Sequence, residues 1–165
     1  MTLFLDKQDY GFFVSRLRKY AKEFQIDLLS YCVMPNHYHC LVKVGNSDGA
    51  LTKMMQGLQT SYAQYFNKRY EHSGYVFQGR YQRKHVTSAS YLLVLSCYIH
   101  ANPVMAGIVR LAEEWEYSSH NQYRSGLINQ LVKDELVDLN YCEIFQEYLT
   151  KHQERSLYLE NFLLD

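Results

Sequence analysis

Four residues of this 165-residue chain have types and spacings suited to chemistry: His37, His39, Tyr98 and Asn102. His37 and His39 lie two apart in an alternating stretch, so on a strand both imidazoles project from one face. Tyr38, Cys40, Val42 and Val44 then point the other way, to pack under helices. Two imidazoles so placed can share one divalent cation that neither would hold well alone. On its own such a pair is more often two ordinary histidines. Tyr98 and Asn102 stand at i and i+4, one above the other on a helix. A phenol can attack phosphorus and leave a covalent phosphotyrosine. The amide oxygen of Asn102, about one helical turn away, can complete a metal shell. A half-buried aromatic beside a helix-terminal asparagine is the plainer reading of these two residues.

The elements that must position these groups follow from periodicity. Residues 9–24 predict an amphipathic helix, with Phe12, Phe13, Leu17, Tyr20 and Ala21 at helical spacing. Residues 26–34 predict a strand, Pro35-Asn36 a turn, and 38–44 a second strand of the same hairpin. Residues 45–49 read as a loop. Residues 51–70 predict a second helix burying Leu51, Met54, Met55, Leu58, Tyr62, Tyr65 and Phe66. Residues 74–86 are expected to be extended. A third helix is expected from a Ser88 cap to about Asn102, with Leu92, Leu95 and Ile99 packed on the sheet and Pro103 bending or ending it. Residues 129–151 carry a further helical pattern. The order helix–strand–strand–helix–strand–helix is an α+β layout, an antiparallel sheet with helices largely on one face.

Charge narrows the class of partner. Lysines and arginines equal acidic residues at 17 each, yet they are unevenly placed. Residues 43–110 carry eight Lys/Arg against two Asp/Glu, a net of +6, whereas residues 111–165 carry four against eleven, a net of −7. A basic middle suits a phosphate-binding face, because local field recruits a polyanion; ordinary solvated charge reads equally well. Arg80, Arg83 and Lys84 follow Gln78-Gly79 and lie beside Tyr75, Phe77 and Tyr81. Cations interleaved with aromatics suit a single strand, phosphates on the former and bases on the latter. Lys68 and Arg69 join this candidate DNA-binding set, or else complement the dipole of the second helix. Cys32, Cys40, Cys97 and Cys142 form no Cys-x-x-Cys pair, which excludes a zinc knuckle and fits a reducing cytoplasm. No apolar run reaches the roughly 18–20 residues of a membrane span. No signal peptide and no Gly-rich phosphate cradle is visible.

Tyr31-Cys32-Val33-Met34-Pro35-Asn36-His37-Tyr38-His39 with the β-run to Val44 resembles the His–hydrophobic–His signature of single-tyrosine HUH transposases. Residues 74–81 (GYVFQGRY), 98–104 (YIHANPV) and 115–119 (WEYSS) resemble the same family, in order and at suitable spacing. Together they match its REP-associated tyrosine transposase branch over roughly residues 4–124. The resemblance implies a ferredoxin-like sheet (the HUH fold) over residues 1–126; the charge and helical pattern beyond it read as a helical acidic tail at 127–165. It also implies a metal-dependent enzyme that cleaves and rejoins single-stranded hairpin or repeat DNA. In that role Mg²⁺ or Mn²⁺ is held by His37, His39 and Asn102, and Tyr98 forms a 5′-phosphotyrosine. The cation-and-aromatic pattern read above makes Arg80, Arg83, Lys84, Lys68, Arg69 and Gln78 the residues expected to contact the DNA.

Members of the family usually carry a strand before the segment matching Leu3–Asp6, so the first strand is expected to be missing here. Its loss from mid-sheet would leave backbone groups unpaired. A misplaced gene start, substitution by the tail or a second subunit of a homodimer, or a decayed gene each account for it. The alternative function is a domesticated or truncated protein that binds DNA hairpins without cutting them. A replication initiator or relaxase with the same metal site is a third reading, disfavoured by the match at Gln78-Gly79-Arg80 and Asn102-Pro103.

Overall fold

The computed structural model describes residues 2–45, 49–87, 89–126 and 141–153. The chain divides into two compact units, Met1–His85 and Val86–Asp165. The first unit contains helix α1 (Lys7–Glu23), strands β1 (Ile26–Val33) and β2 (Tyr38–Val44), and helix α2 (Ala50–Arg69). The second contains α3 (Ala89–Met105), a 3-10 turn (Ala112–Glu114), α4 (His120–Arg124) and α5 (Tyr141–Gln153). None of the helices described is long and apolar enough to cross a membrane.

In the first unit the antiparallel pair β1–β2 is the whole sheet among the described residues. Its register sets His39 opposite Cys32 and Tyr38 opposite Val33, with an irregularity between Leu28 and Ser30. Pro35-Asn36 form the two-residue connection, closed by Met34 N–H donating to the His37 carbonyl at 2.8 Å. No strand precedes α1 among these residues; Leu3 and Phe4 N–H donate to the Pro35 carbonyl instead. Helix α1 begins two residues earlier than its apolar spacing predicts. Asp6 caps it, accepting from the Gln8 and Asp9 N–H groups, while Asp9 returns a bond to the cap.

Helices α1 and α2 pack on each other over one face of the sheet. Phe4, Tyr10, Phe13 and Tyr62 form an aromatic centre, with Phe13 and Tyr62 edge-on at 5.3 Å. Gly57 lies inside α2, where a glycine costs about 1 kcal/mol against alanine. A Cβ there would stand 2.8 Å from the Tyr20 ring, so the glycine is what allows α1 to approach.

Two expectations fail. Residues 74–87 contain no strand. Gly74 and Gly79 take φ of +129° and +81°, outside the β region, and no apolar alternation follows Phe77 to seat the chain on a sheet. Helix α3 runs through Pro103 to Met105. A proline at 103 offers no N–H to the Ile99 carbonyl. The Asn102 side chain donates from Nδ2 to the Tyr98 carbonyl at 2.8 Å and reaches towards that of Ile99 at 3.5 Å, which compensates the loss.

Candidate functional site

The hairpin positions the histidines. Tyr38 turns towards the helices, its ring 4.7 Å from that of Phe13 and its hydroxyl accepting from Gln59 Nε2 at 3.2 Å. Strand alternation then sends His37 and His39 to the opposite face. Their ring centroids are 4.9 Å apart with planes at 84°. His37 is exposed and His39 half-buried.

Both imidazoles are neutral near pH 7. Burial lowers the pKa of His37. Burial and then the charge of His37 bring His39 to about 4. Neutral imidazole is the form that ligates metal. His37 Nδ1 lies 2.7 Å from Asn36 Oδ1. A carbonyl oxygen only accepts, so Nδ1 carries the proton and Nε2 keeps its lone pair. Asn36, absent from the residues singled out by sequence, thereby fixes the tautomer, the ordinary support of a metal-bound histidine. Among the described residues no group of three or more His, Cys, Asp and Glu is disposed to hold a metal ion. A cation held by the pair would need its remaining ligands from other oxygens, such as amide, water or phosphate. Replacing His39 by Ala should weaken Mn²⁺ binding at least about tenfold, the scale on which even a ligand's supporting partner matters; an unchanged calorimetric isotherm would refute the site.

Tyr98 and Asn102 lie in the second unit, on α3. Tyr98 is half-buried. With its nitrogen committed to the helix backbone, Asn102 has its amide oxygen left to act as a ligand. Helix α3 buries Leu93, Ser96, Cys97, Ile99, His100, Ala101 and Pro103, whereas Leu92 and Leu95 are half-exposed. Of the expected stripe Ile99 is buried and the two leucines are not, because hydrophobic spacing gives no weight to a buried serine and a buried histidine.

The basic segment belongs to the first unit. Val76 is buried, and the Phe77 ring lies 6.3 Å from Tyr38 and 5.9 Å from Tyr62. These anchors fasten the chain beside the strand that carries the histidines. Beyond them Gln78, Arg80, Arg83 and Lys84 are exposed, and Tyr75 ahead of them is 95% exposed. Lys68 is also exposed. Arg69 differs from the rest of the set. Its guanidinium is paired with Asp6 and with fully buried Asp9, and it bonds the Tyr65 hydroxyl. That charge serves the fold.

The profile described as "Transposase IS200 like" matches residues 3–102. A curated Haemophilus influenzae protein named as a REP-associated tyrosine transposase is 25% identical over 120 residues, covering 67% of this chain and 68% of that one. A solved structure of a REP-associated tyrosine transposase bound to a REP hairpin superposes with a TM-score of 0.64 at 15% identity, over 74% of this chain and 72% of the other. At that identity the likeness is one of fold.

Proposed function

Because this chain belongs to the IS200-like transposase family, we propose that it is a metal-dependent transposase that nicks and rejoins single-stranded hairpin or repeat DNA through Tyr98. The observation that carries the reading is the neutral, face-sharing pair His37–His39 with its tautomer set by Asn36. The hairpin bound by the structurally similar transposase supports the choice of substrate.

Mg²⁺ or Mn²⁺, when bound, would act as a Lewis acid on the scissile phosphate and orient it. His37 and His39 would supply the nitrogen ligands, and the Asn102 oxygen a third. The Tyr98 hydroxyl attacks phosphorus. A phenol oxygen–phosphorus bond forms, the bond to the 3′ oxygen breaks, and that oxygen leaves as a hydroxyl with the proton the phenol gives up. The 5′ phosphate stays on Tyr98 with the phosphodiester's energy conserved, so attack by another 3′-hydroxyl rejoins a strand without a nucleotide cofactor. The described cysteines are free thiols, which suits a cytoplasmic site of action.

Gln78, Arg80, Arg83, Lys84 and Lys68 hold the DNA. Each phosphate contact contributes about 0.7 to the slope of log K against log salt for a single strand. Replacing Arg80, Arg83 and Lys84 together by Ala should flatten that slope by about 2. A parallel line, weaker or not, would remove these residues from the interface.

The test of the reading is direct. Protein, Mn²⁺ and end-labelled single-stranded repeat DNA should give a denaturant-resistant protein–DNA band that a chelator prevents. Hairpin binding with steep salt dependence and no such band would leave a binding protein only.

A further inference from the structure

The second unit holds a buried polar chain that the proposed chemistry does not use. His100, on α3, is fully buried. Its Nε2 lies 2.7 Å from Ser119 Oγ and its Nδ1 2.7 Å from the Tyr141 hydroxyl. That hydroxyl also meets His120 Nδ1 at 2.8 Å. Ser119, His100, Tyr141 and His120 therefore form one run of hydrogen bonds linking α3, α4 and α5. Both histidines are held neutral by burial. Ser119 stands at the N-cap of α4, where a serine ordinarily serves a helix N–H, yet it makes no cap bond. The His120 N–H goes to Ser118 Oγ instead, and the Ser119 hydroxyl turns to the imidazole.

Helix α5 also follows α3 along its length. Tyr141, Phe145 and Tyr148 share one face of α5 at helical spacing. Tyr141 meets His100, and burial, followed by the neighbouring Tyr98, Cys97 and Tyr91, raises the pKa of Tyr148. The two helices thus pack on each other, with α5 beside the segment of α3 that carries Tyr98.

We infer that His100, Ser119 and Tyr141 are positioning residues for Tyr98. His100 follows Tyr98 by two residues and so faces nearly the opposite side of α3. Hydrogen bonds on both of its nitrogens fix the roll of α3 about its axis, and the roll sets the direction of the Tyr98 hydroxyl. Apolar packing alone permits small rotations, whereas a buried imidazole bonded at both ends does not, since breaking either bond leaves a polar atom unsatisfied. On this account α5 is part of the catalytic unit. The bond from His100 to Ser119 ties together the two stretches, residues 98–104 and 115–119, that resemble the transposases.

The inference rests on Tyr98 being the nucleophile, and the test separates the two ideas. Tyr141→Phe keeps the ring that packs on Phe145 and Tyr123 and removes only the hydroxyl. With Mn²⁺ and saturating repeat DNA, its adduct should form about 10–100-fold more slowly, the scale of an ångström-level misplacement. The Kd for the hairpin should stay within about twofold, because the proposed DNA cations lie in the other unit; should Tyr141→Phe fail to fold, Ser119→Ala carries the same expectation. In parallel, 3-fluorotyrosine placed at position 98 should give one sharp fluorine resonance in the parent and a broadened or split one in the variant. Parent-like rates and a parent-like line would overturn the inference, as would rate and affinity falling together with the melting temperature. A parent that gives no adduct refutes the nucleophile, while the fluorine line still decides whether the chain of bonds orients residue 98.

Discussion

A Tyr98→Phe variant should bind hairpin DNA as the parent does and yield no covalent adduct, a loss of at least roughly 10³-fold in the rate of linkage. Phenylalanine keeps the ring and its half-buried seat on α3 and deletes one oxygen. No other atom at that position can form a bond to phosphorus. Cleavage of the strand is a weaker readout than linkage, because water could still attack a phosphate that a cation held by His37 and His39 would polarise. The adduct is the discriminating signal. Its persistence in the variant, at a rate near the parent's, would exclude Tyr98 as nucleophile.

The largest loss of stability is expected at Asp9. Its carboxylate is fully buried and accepts from the Leu5 N–H at 2.8 Å, the Tyr70 hydroxyl at 2.8 Å, the Tyr65 hydroxyl at 3.0 Å and Arg69 Nη1 at 2.9 Å. Those donors come from the N-terminal segment and the last turns of α2, so one carboxylate joins the chain start to the helix that packs on α1. Asp9→Ala removes the acceptor common to all of them. Bonds to a charged group are worth about 1.5–3 kcal/mol each, and abandoned donors cost more. Partial exposure of Tyr65, Tyr70 and Arg69 lets water recover some of that loss. A net destabilisation of about 3 kcal/mol is expected, equivalent to a fall in Tm of roughly 10–20 °C for a unit of this size. Asp9→Asn, which keeps one acceptor oxygen, should lose less. Thermal unfolding followed by circular dichroism decides it, and a shift under about 3 °C for Asp9→Ala would show that the cluster is incidental.

The hairpin was the most legible part of the molecule. Pro35-Asn36 between two β-rich runs specifies a two-residue connection, and a spacing of two then sends both imidazoles to one face. The buried stripe of α2 was equally readable, since Met54, Met55, Leu58, Tyr62 and Phe66 recur at helical spacing. Misreadings arose where polar groups do structural work. The start of α1 depends on the Asp6 cap and the return bond from Asp9, which an apolar pattern cannot register, although the Asp-x-x-Asp spacing was a signal. Pro103 was expected to bend or end its helix; the helix does not end there, and the side chain before the proline reaches the carbonyl that it leaves without a donor. The stripe of α3 was partly misplaced for a related reason: His100 and Ser96 are buried on the strength of hydrogen bonds made by residues far along the chain. Arg69 reads as a surface cation until Asp6 and Asp9, some sixty residues earlier, fold against it. Nothing local to the sequence records such partners. The acidic tail from residue 127 was read from charge; of its residues, Tyr141–Gln153 form a helix that packs against α3.

The most direct test of the central claim is to locate the bond. The covalent complex formed with Mn²⁺ and a single-stranded repeat would be digested with protease and nuclease, and the nucleotide-bearing peptide sequenced by mass spectrometry. The account predicts a 5′-phosphate esterified to Tyr98, with a free 3′-hydroxyl on the released strand. A nucleotide on Tyr91, Tyr148 or any other residue, or a linkage through a 3′-phosphate, would contradict it.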